Sequence, residues 1–245
     1  VQWRVGAPNR TRDWTKDAGN SDAVRYVPVM RNRFLIAGLA AMAVSAAASA
    51  APSGFEAAVF KDLNHFRDDP AAYADDLTGY RDRFDGKLLI AEEGEDIDIM
   101  TNEGVAAVNE AIRALRSEAP RPSFVWSDLL QRAAADHVAV QSRSGAVGHY
   151  SNNSDPGVRM RARGGGPYVS EVITYGHQTP PGVIHQLLID DGVPGRGHRF
   201  SLLRSDLRYA GVACGSHPHY RLMCVILMSP TRDGSPPPPP QRSAP

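Results

Sequence analysis

Two stretches near the C-terminal end decide the fold: Tyr209-Ala210-Gly211-Val212-Ala213-Cys214 and Leu222-Met223-Cys224-Val225-Ile226-Leu227-Met228. Both are β-rich runs, and the Gly, Ser, His and Pro residues between them read as a turn, so the pair forms a hairpin. The chain has 2 cysteines, Cys214 and Cys224, one on each arm and equally far along the chain from His219. Facing residues of an antiparallel pair bring their Cβ atoms within bridging distance. A disulfide is therefore expected in an oxidising compartment; the competing reading is two buried thiols on alternate faces. With no CxxC motif, a Cys-based zinc site or a catalytic thiol is disfavoured.

Outward from the hairpin, Tyr168–Tyr175 alternates weakly and reads as a further strand. The remaining pattern is helical. Phe55, Val59, Leu63 and Phe66 recur on one face of a helix spanning Phe55–Leu77. Pro70 interrupts it, and Asp69 can cap a new turn with Pro70 at its first position, so a helix–kink–helix is expected. Thr101 is read as the cap of a second helix with Val105, Val108, Ile112 and Leu115 inward, ended before Pro120. Ser127 caps a third, Asp128–Ser144, closed by Gly145, whose Ala133-Ala134-Ala135 permits close packing. Thr179 caps a fourth, with Pro180 at its first position and Val183, Ile184, Leu187 and Leu188 inward. Helices around a small, mainly antiparallel sheet make an α+β layered domain rather than a βαβ array.

Between these elements, Gly79–Ile99 is acidic and irregular, and its spacing does not match an EF-hand, so it reads as a solvated loop. Arg159, Arg161 and Arg163 alternate before Gly164-Gly165-Gly166; they read either as an anion site beside a mobile loop or as a solvated strand edge. Residues 230–245, with five consecutive prolines at 236–240, are expected to be a disordered, solvated tail. One domain, residues 54–229, remains.

Among 245 residues, 42% are apolar and 22% charged, enough for one core and too polar for a polytopic membrane protein. Lys+Arg and Asp+Glu both number 27. The first 50 residues skew that balance. Met30-Arg31-Asn32-Arg33 is basic, Phe34–Val44 is uncharged and mostly apolar, and Ala48-Ser49-Ala50 is an A-x-A cleavage signal, the layout of a secretory signal peptide at residues 30–50. A membrane anchor is the competing reading, disfavoured by the small Ala and Ser residues and by the lack of a following basic cluster. Residues 1–29 have no apolar period and are read as an extension from a mis-assigned start codon. Seven basic and three acidic residues precede Ala51, so the rest carries 20 basic and 24 acidic residues, a formal charge of −4. That excludes a global field for nucleic acid or anionic lipid. A secreted or periplasmic location, without a stable membrane anchor after cleavage, is expected.

Three charged or polar residues flank the expected sheet in distinctive contexts: His149 in Gly148-His149-Tyr150-Ser151, Glu171 in Ser170-Glu171-Val172-Ile173, and His198 in Gly195-Arg196-Gly197-His198-Arg199. They follow a first helix carrying Asn64 and Arg67 and precede Gly211-Val212-Ala213-Cys214-Gly215. In that order and spacing, over Phe55–Ser229, the chain resembles the CAP superfamily (cysteine-rich secretory proteins, antigen 5, pathogenesis-related 1) in its bacterial SCP-domain branch. The resemblance implies a three-layer α-β-α sandwich whose cleft carries two histidines and one or two acids. It maps those onto His149, His198, Glu171 and, for the second acid, Asp190, with Asp191 the runner-up. Where the family commonly has Gly-Glu-Asn, this chain has Ser170-Glu171-Val172, which removes the neighbouring amide. Asn64 and Arg67 are read as structural anchors.

Two neutral imidazoles and a carboxylate can hold Zn²⁺ or another divalent cation and leave room for water, which makes His149, His198 and Glu171 the candidate metal ligands. Alternatively Glu171 hydrogen-bonds one imidazole from behind and raises its basicity. A purely structural His–Glu–His network is the third reading. Catalysis is disfavoured: Ser151 and Ser154 sit in no nucleophile elbow, and no His-Glu-x-x-His motif occurs. The expected function is a secreted binding module with a small molecule, lipid or protein as its extracellular partner. A metal-assisted hydrolase of peptide or cell-wall substrates and a stabilising scaffold are the alternatives.

Overall fold

A computed structural model describes residues 25–27, by backbone alone, together with 54–93 and 95–237. The expected signal segment lies outside these residues, as does the rest of the N-terminal extension. The first described element is β1 (Arg25–Val27). Helix α1 (Gly54–Asp68) then yields to α2 (Pro70–Arg81) at Pro70, and the Asp69 carboxylate accepts from Ala72 N at the new N-terminus. Next come three short strands, β2 (Phe84–Asp85), β3 (Leu88–Leu89) and β4 (Asp98–Met100), within the stretch expected to be loop. A two-residue turn with Gly86 at φ +61° lets β2 fold onto β3. Leu89 and Ile99 then face the core. With β1 they make a small sheet in the order β1-β4-β3-β2.

Helix α3 (Val105–Ser117) buries Val108, Ile112 and Leu115, but Thr101 does not cap it. The Thr101 hydroxyl instead donates to Lys87 O, and the backbone N–H groups of Asn102 and Glu103 are taken by the Asp191 carboxylate from across the fold. After β5 (Val125–Trp126), Ser127 caps α4 (Asp128–Ser144), and Gly145 at φ +68° closes it. The arginine-rich segment is neither strand nor loop: it is helix α5 (Pro156–Ala162), capped by the Asp155 carboxylate on Val158 N. Strand β6 (Ser170–Tyr175), helix α6 (Pro180–Ile189) capped by Thr179, helix α7 (Gly197–Leu202), and the hairpin β7 (Tyr209–His217) and β8 (Arg221–Ser229) complete the chain.

The main sheet has the order β5-β7-β8-β6, antiparallel except for β5 beside β7. In the hairpin Cys214 faces Cys224 and the two are joined as a disulfide. The period-2 alternation of the strands separates two cores. Val172, Val212, Cys224, Ile226 and Met228 pack under α1, α2, α3 and α6. Ile173, Ala213, Val225 and Leu227 pack under α4 and α5, against Leu130, Ala133, Ala134 and Met160. This is the α-β-α sandwich. Gly211 and Gly215, alternating with Ala213 on β7, let α4 approach closely: a Cβ on Gly211 would meet the backbone of Gln131, and one on Gly215 would sit 2.6 Å from Val138.

Arg67 and Asn64 stitch α1 to the loops beyond. Arg67 is fully buried, donates to Pro122 O and to the carbonyls of Leu202, Arg204 and Leu207, and lies 3.9 Å over the Phe124 ring. The Asn64 amide pairs with both backbone groups of Phe124. The ordered chain also runs past Ser229, where a solvated tail was expected. Asp233 O and Gly234 O accept from Gly166 N and Tyr168 N, and Arg232 O accepts from the Ser127 hydroxyl. The glycines at 165 and 166 leave room for that return: a Cβ on either would meet the backbone of residues 233–235.

Candidate functional site

His149 stands on the loop after α4. That loop turns again at Gly148, φ +93°. Three side chains hold it. Gly148 O accepts from His137 Nε2 and Gln141 Nε2, both at 2.7 Å, and Gly148 N donates to Tyr175 Oη at 2.9 Å. The Tyr175 hydroxyl in turn donates to Gln141 Oε1. His137 and Gln141 are one turn apart on α4, so they meet the same carbonyl. With Nε2 donating, His137 Nδ1 accepts from the Ser151 hydroxyl at 2.9 Å. Burial lowers the pKa of His137 against the opposing charge of Glu171, which keeps the ring neutral as that pattern requires.

Behind His149 lies Glu171 on β6, 3% exposed. Its Oε1 accepts from His149 Nδ1 at 3.0 Å, and its Oε2 pairs with the Arg159 guanidinium of α5. Arg159, 4% exposed, also donates to His149 O and Ser154 O, so one cation anchors both the carboxylate and the loop. Burial alone would raise the Glu171 carboxyl, but the hydrogen bond from His149 and the charge of Arg159 hold it below the usual carboxylate range.

His198 is built the same way from different parts. Asp190 ends α6 in the left-handed region, φ 55°, and is 2% exposed. Its Oδ1 accepts from His198 Nδ1 at 2.6 Å and its Oδ2 from His198 N at 2.8 Å. The carboxylate thus backs the imidazole and satisfies a free N–H in the first turn of α7. Asp190 O accepts from Arg196, which Glu103 clamps in a two-bond pair.

Each imidazole therefore has a buried carboxylate on Nδ1 and presents Nε2 as its remaining ring nitrogen. The His149 and His198 side chains keep 33% and 24% of their exposure, against 2% for either carboxylate. Both rings, with Asp190, line one cavity of about 460 Å³, whose apolar wall includes Tyr80, Phe84, Ile173, Leu187 and Ile189. Glu171 does not reach that wall. Asp191 does, with its carboxylate oxygens on Asn102 N and Glu103 N. Among the described residues no group of three His, Cys, Asp or Glu is placed to hold a metal ion. His149, His198 and Glu171 do not form one contact network: Glu171 lies behind His149, Asp190 lies behind His198, and Arg159 holds the second oxygen of Glu171.

Residues 108–228 match the model of the cysteine-rich secretory protein family, CAP. The chain belongs to the CAP family. The CAP match starts within α3, and α1 and α2 precede it. Among solved structures, the CAP chain is similar to an outer surface protein from Borrelia burgdorferi, at 15% identity and a TM-score of 0.38, over 44% of this chain and 77% of that one. It is also similar to an extracellular protein containing a SCP domain from Bacillus anthracis str. Ames, at 16% identity and a TM-score of 0.37, over 51% of this chain and 38% of that one. No curated protein matches the chain. Among the described residues, no helix is long and apolar enough to cross a membrane.

Sequence reasoning missed His137, Gln141 and Tyr175 as parts of the CAP cleft, and read Arg159 as an anion site or a solvated edge without pairing it with Glu171. For Arg159 a signal was present. Asp155-Pro156 repeats the cap-then-proline signature of Asp69-Pro70 and Thr179-Pro180, and would have placed a helix where Arg159 sits.

Proposed function

We propose that this CAP domain is an exported binding module in which His149 and His198 take a divalent cation such as Zn²⁺ through Nε2, while the adjoining cavity takes a small apolar molecule. The supporting observation is the pair of imidazoles on one cavity wall, each with Nδ1 on a buried carboxylate, Glu171 at 3.0 Å and Asp190 at 2.6 Å. A carboxylate on Nδ1 fixes the tautomer that leaves the lone pair on Nε2. The donor set fits a cation weakly, because two imidazoles leave coordination positions for water or for ligand atoms. Such a cation, when bound, supplies Lewis acidity at the cavity mouth. Glu171 and Asp190 orient the rings, and Arg159 keeps Glu171 ionised and turned toward His149. The disulfide, together with the signal layout at Met30–Ala50, supports export.

The test is calorimetric zinc titration of the secreted protein and of its His149→Ala and His198→Ala variants. Each substitution is expected to weaken binding at least tenfold, and Glu171→Gln by about 10–100-fold through loss of the partner behind the ring. Acid should release the ion, since a protonated imidazole cannot ligate. Equal affinity in wild type and both alanine variants defeats the metal reading and leaves the network as a scaffold.

A further inference from the structure

A third imidazole lines the same cavity. His177, in the connection between β6 and α6, is 5% exposed, and its ring makes no hydrogen bond among the described residues. Its Nδ1 is a buried polar atom without a partner and is turned toward α6, where a Cβ on Gly182 would sit 3.3 Å from it. That leaves Nε2 as the nitrogen reached from the cavity. The apolar part of the cavity lining includes Tyr80, Phe84, Ile99 and Leu187. An unpartnered Nδ1 makes an imidazole costly here, so an apolar side chain would suit the position better unless the other ring nitrogen gains a partner.

The ring is neutral. Burial, and secondarily the charge of Arg83, push its pKa down to about 4. A neutral imidazole carries one N–H and one lone pair, so it can donate to or accept from a hydroxyl. A cation is disfavoured there by the charge of Arg83. We propose that His177 is a specificity-determining residue: the cavity favours apolar molecules that carry one uncharged hydroxyl-type group, which His177 meets through Nε2. This deepens the ligand-binding reading above and rests on it.

The test uses two probes of the same shape, 2-naphthol and 2-methylnaphthalene, titrated into the full-length protein by calorimetry. Wild type is expected to bind the naphthol about tenfold more tightly, equivalent to ~1.4 kcal/mol. In His177→Phe the two probes should bind alike, while His177→Gln, which keeps a donor and an acceptor, should retain a preference. Nitrogen-detected NMR of the histidine rings gives a readout that needs no variant: naphthol should move the His177 ring nitrogens, and methylnaphthalene should leave them in place. Equal binding of both probes to wild type, a preference that survives in His177→Phe, or unmoved His177 nitrogens would overturn the proposal while leaving the cavity a ligand site. Failure of both probes to bind would overturn it together with the ligand reading of the cavity.

Discussion

Replacing Glu171 by Gln keeps the side chain's size and removes one charge from the interior. Glu171 is 3% exposed and sits between Arg159, 4% exposed, and the His149 ring. In the variant Arg159 stays charged, because a guanidinium does not deprotonate near neutral pH, and it loses the carboxylate that neutralises it. The amide can accept from Arg159 or from His149 Nδ1, but its NH₂ then faces the other donor. Breaking a buried pair from one side costs about 3–5 kcal/mol. At about 2–4 °C per kcal/mol for a domain of this size, the expected fall in Tm is roughly 6–20 °C. Glu171→Gln with Arg159→Met removes both charges and should recover much of that loss, which a double-mutant cycle by calorimetry would read. The pH dependence has a defined sign. Glu171 is held below its ordinary pKa of 4.5, so its contribution is present above that value and is lost as pH falls through the folded pKa. The gap between wild type and Glu171→Gln should therefore narrow on acidification below about 4.5. A Tm for the single variant within a degree of wild type at pH 7, or a gap that does not change on acidification, would refute the account of Arg159 and Glu171 as a charge pair holding His149.

Gly211→Ala should cost ~3 kcal/mol in thermal unfolding, because the new methyl meets the backbone of Gln131 rather than a side chain that can turn away; an unchanged Tm would show that α4 can lift from the sheet freely. His177 and His185 are neutral in the folded protein, with burial the main cause that lowers their pKa values from 6.5 to about 4 and about 3. Their depressed values mean that stability is full above 6.5 and declines as pH falls toward 4, by ~1.4 kcal/mol per pH unit for each ring. The His177→Phe and His185→Phe double variant should flatten that limb of a urea-unfolding series, and an identical slope in the variant counts against it. Removing the disulfide as Cys214→Ala with Cys224→Ala should cost about 2–3 kcal/mol, since it closes a short loop between strands already in register; a Tm equal to wild type would place its effect elsewhere than in chain entropy.

Where a feature depends on a few adjacent residues, it was legible in the chain. The kink at Asp69-Pro70, the limits of α4 at Ser127 and Gly145, and the start of α6 at Thr179-Pro180 follow from backbone groups that need a cap and a proline that cannot donate. The facing of Cys214 and Cys224 follows from hairpin symmetry alone. Thr101 shows the limit of that reasoning. It is a good cap by type, yet Asp191, 89 residues along the chain from Asn102, reaches the free N–H groups at that turn instead. The short strands after α2 were hidden because two-residue pairings carry no period to detect.

The sequence by itself determined helices α1 to α4 and α6, the hairpin and the residue types available for a cleft, because periodicity and capping act over one or two turns. Only the tertiary structure decided that Glu171 stands behind His149 and Asp190 behind His198, that Arg159 pairs with the second oxygen of Glu171, and that His177 lines the same cavity with its Nδ1 unpartnered. Those relations join residues on different elements, and they depend on how α5, β6, α6 and α7 pack against one another, where desolvation and the competition for a few buried hydrogen-bonding atoms set each side chain's role.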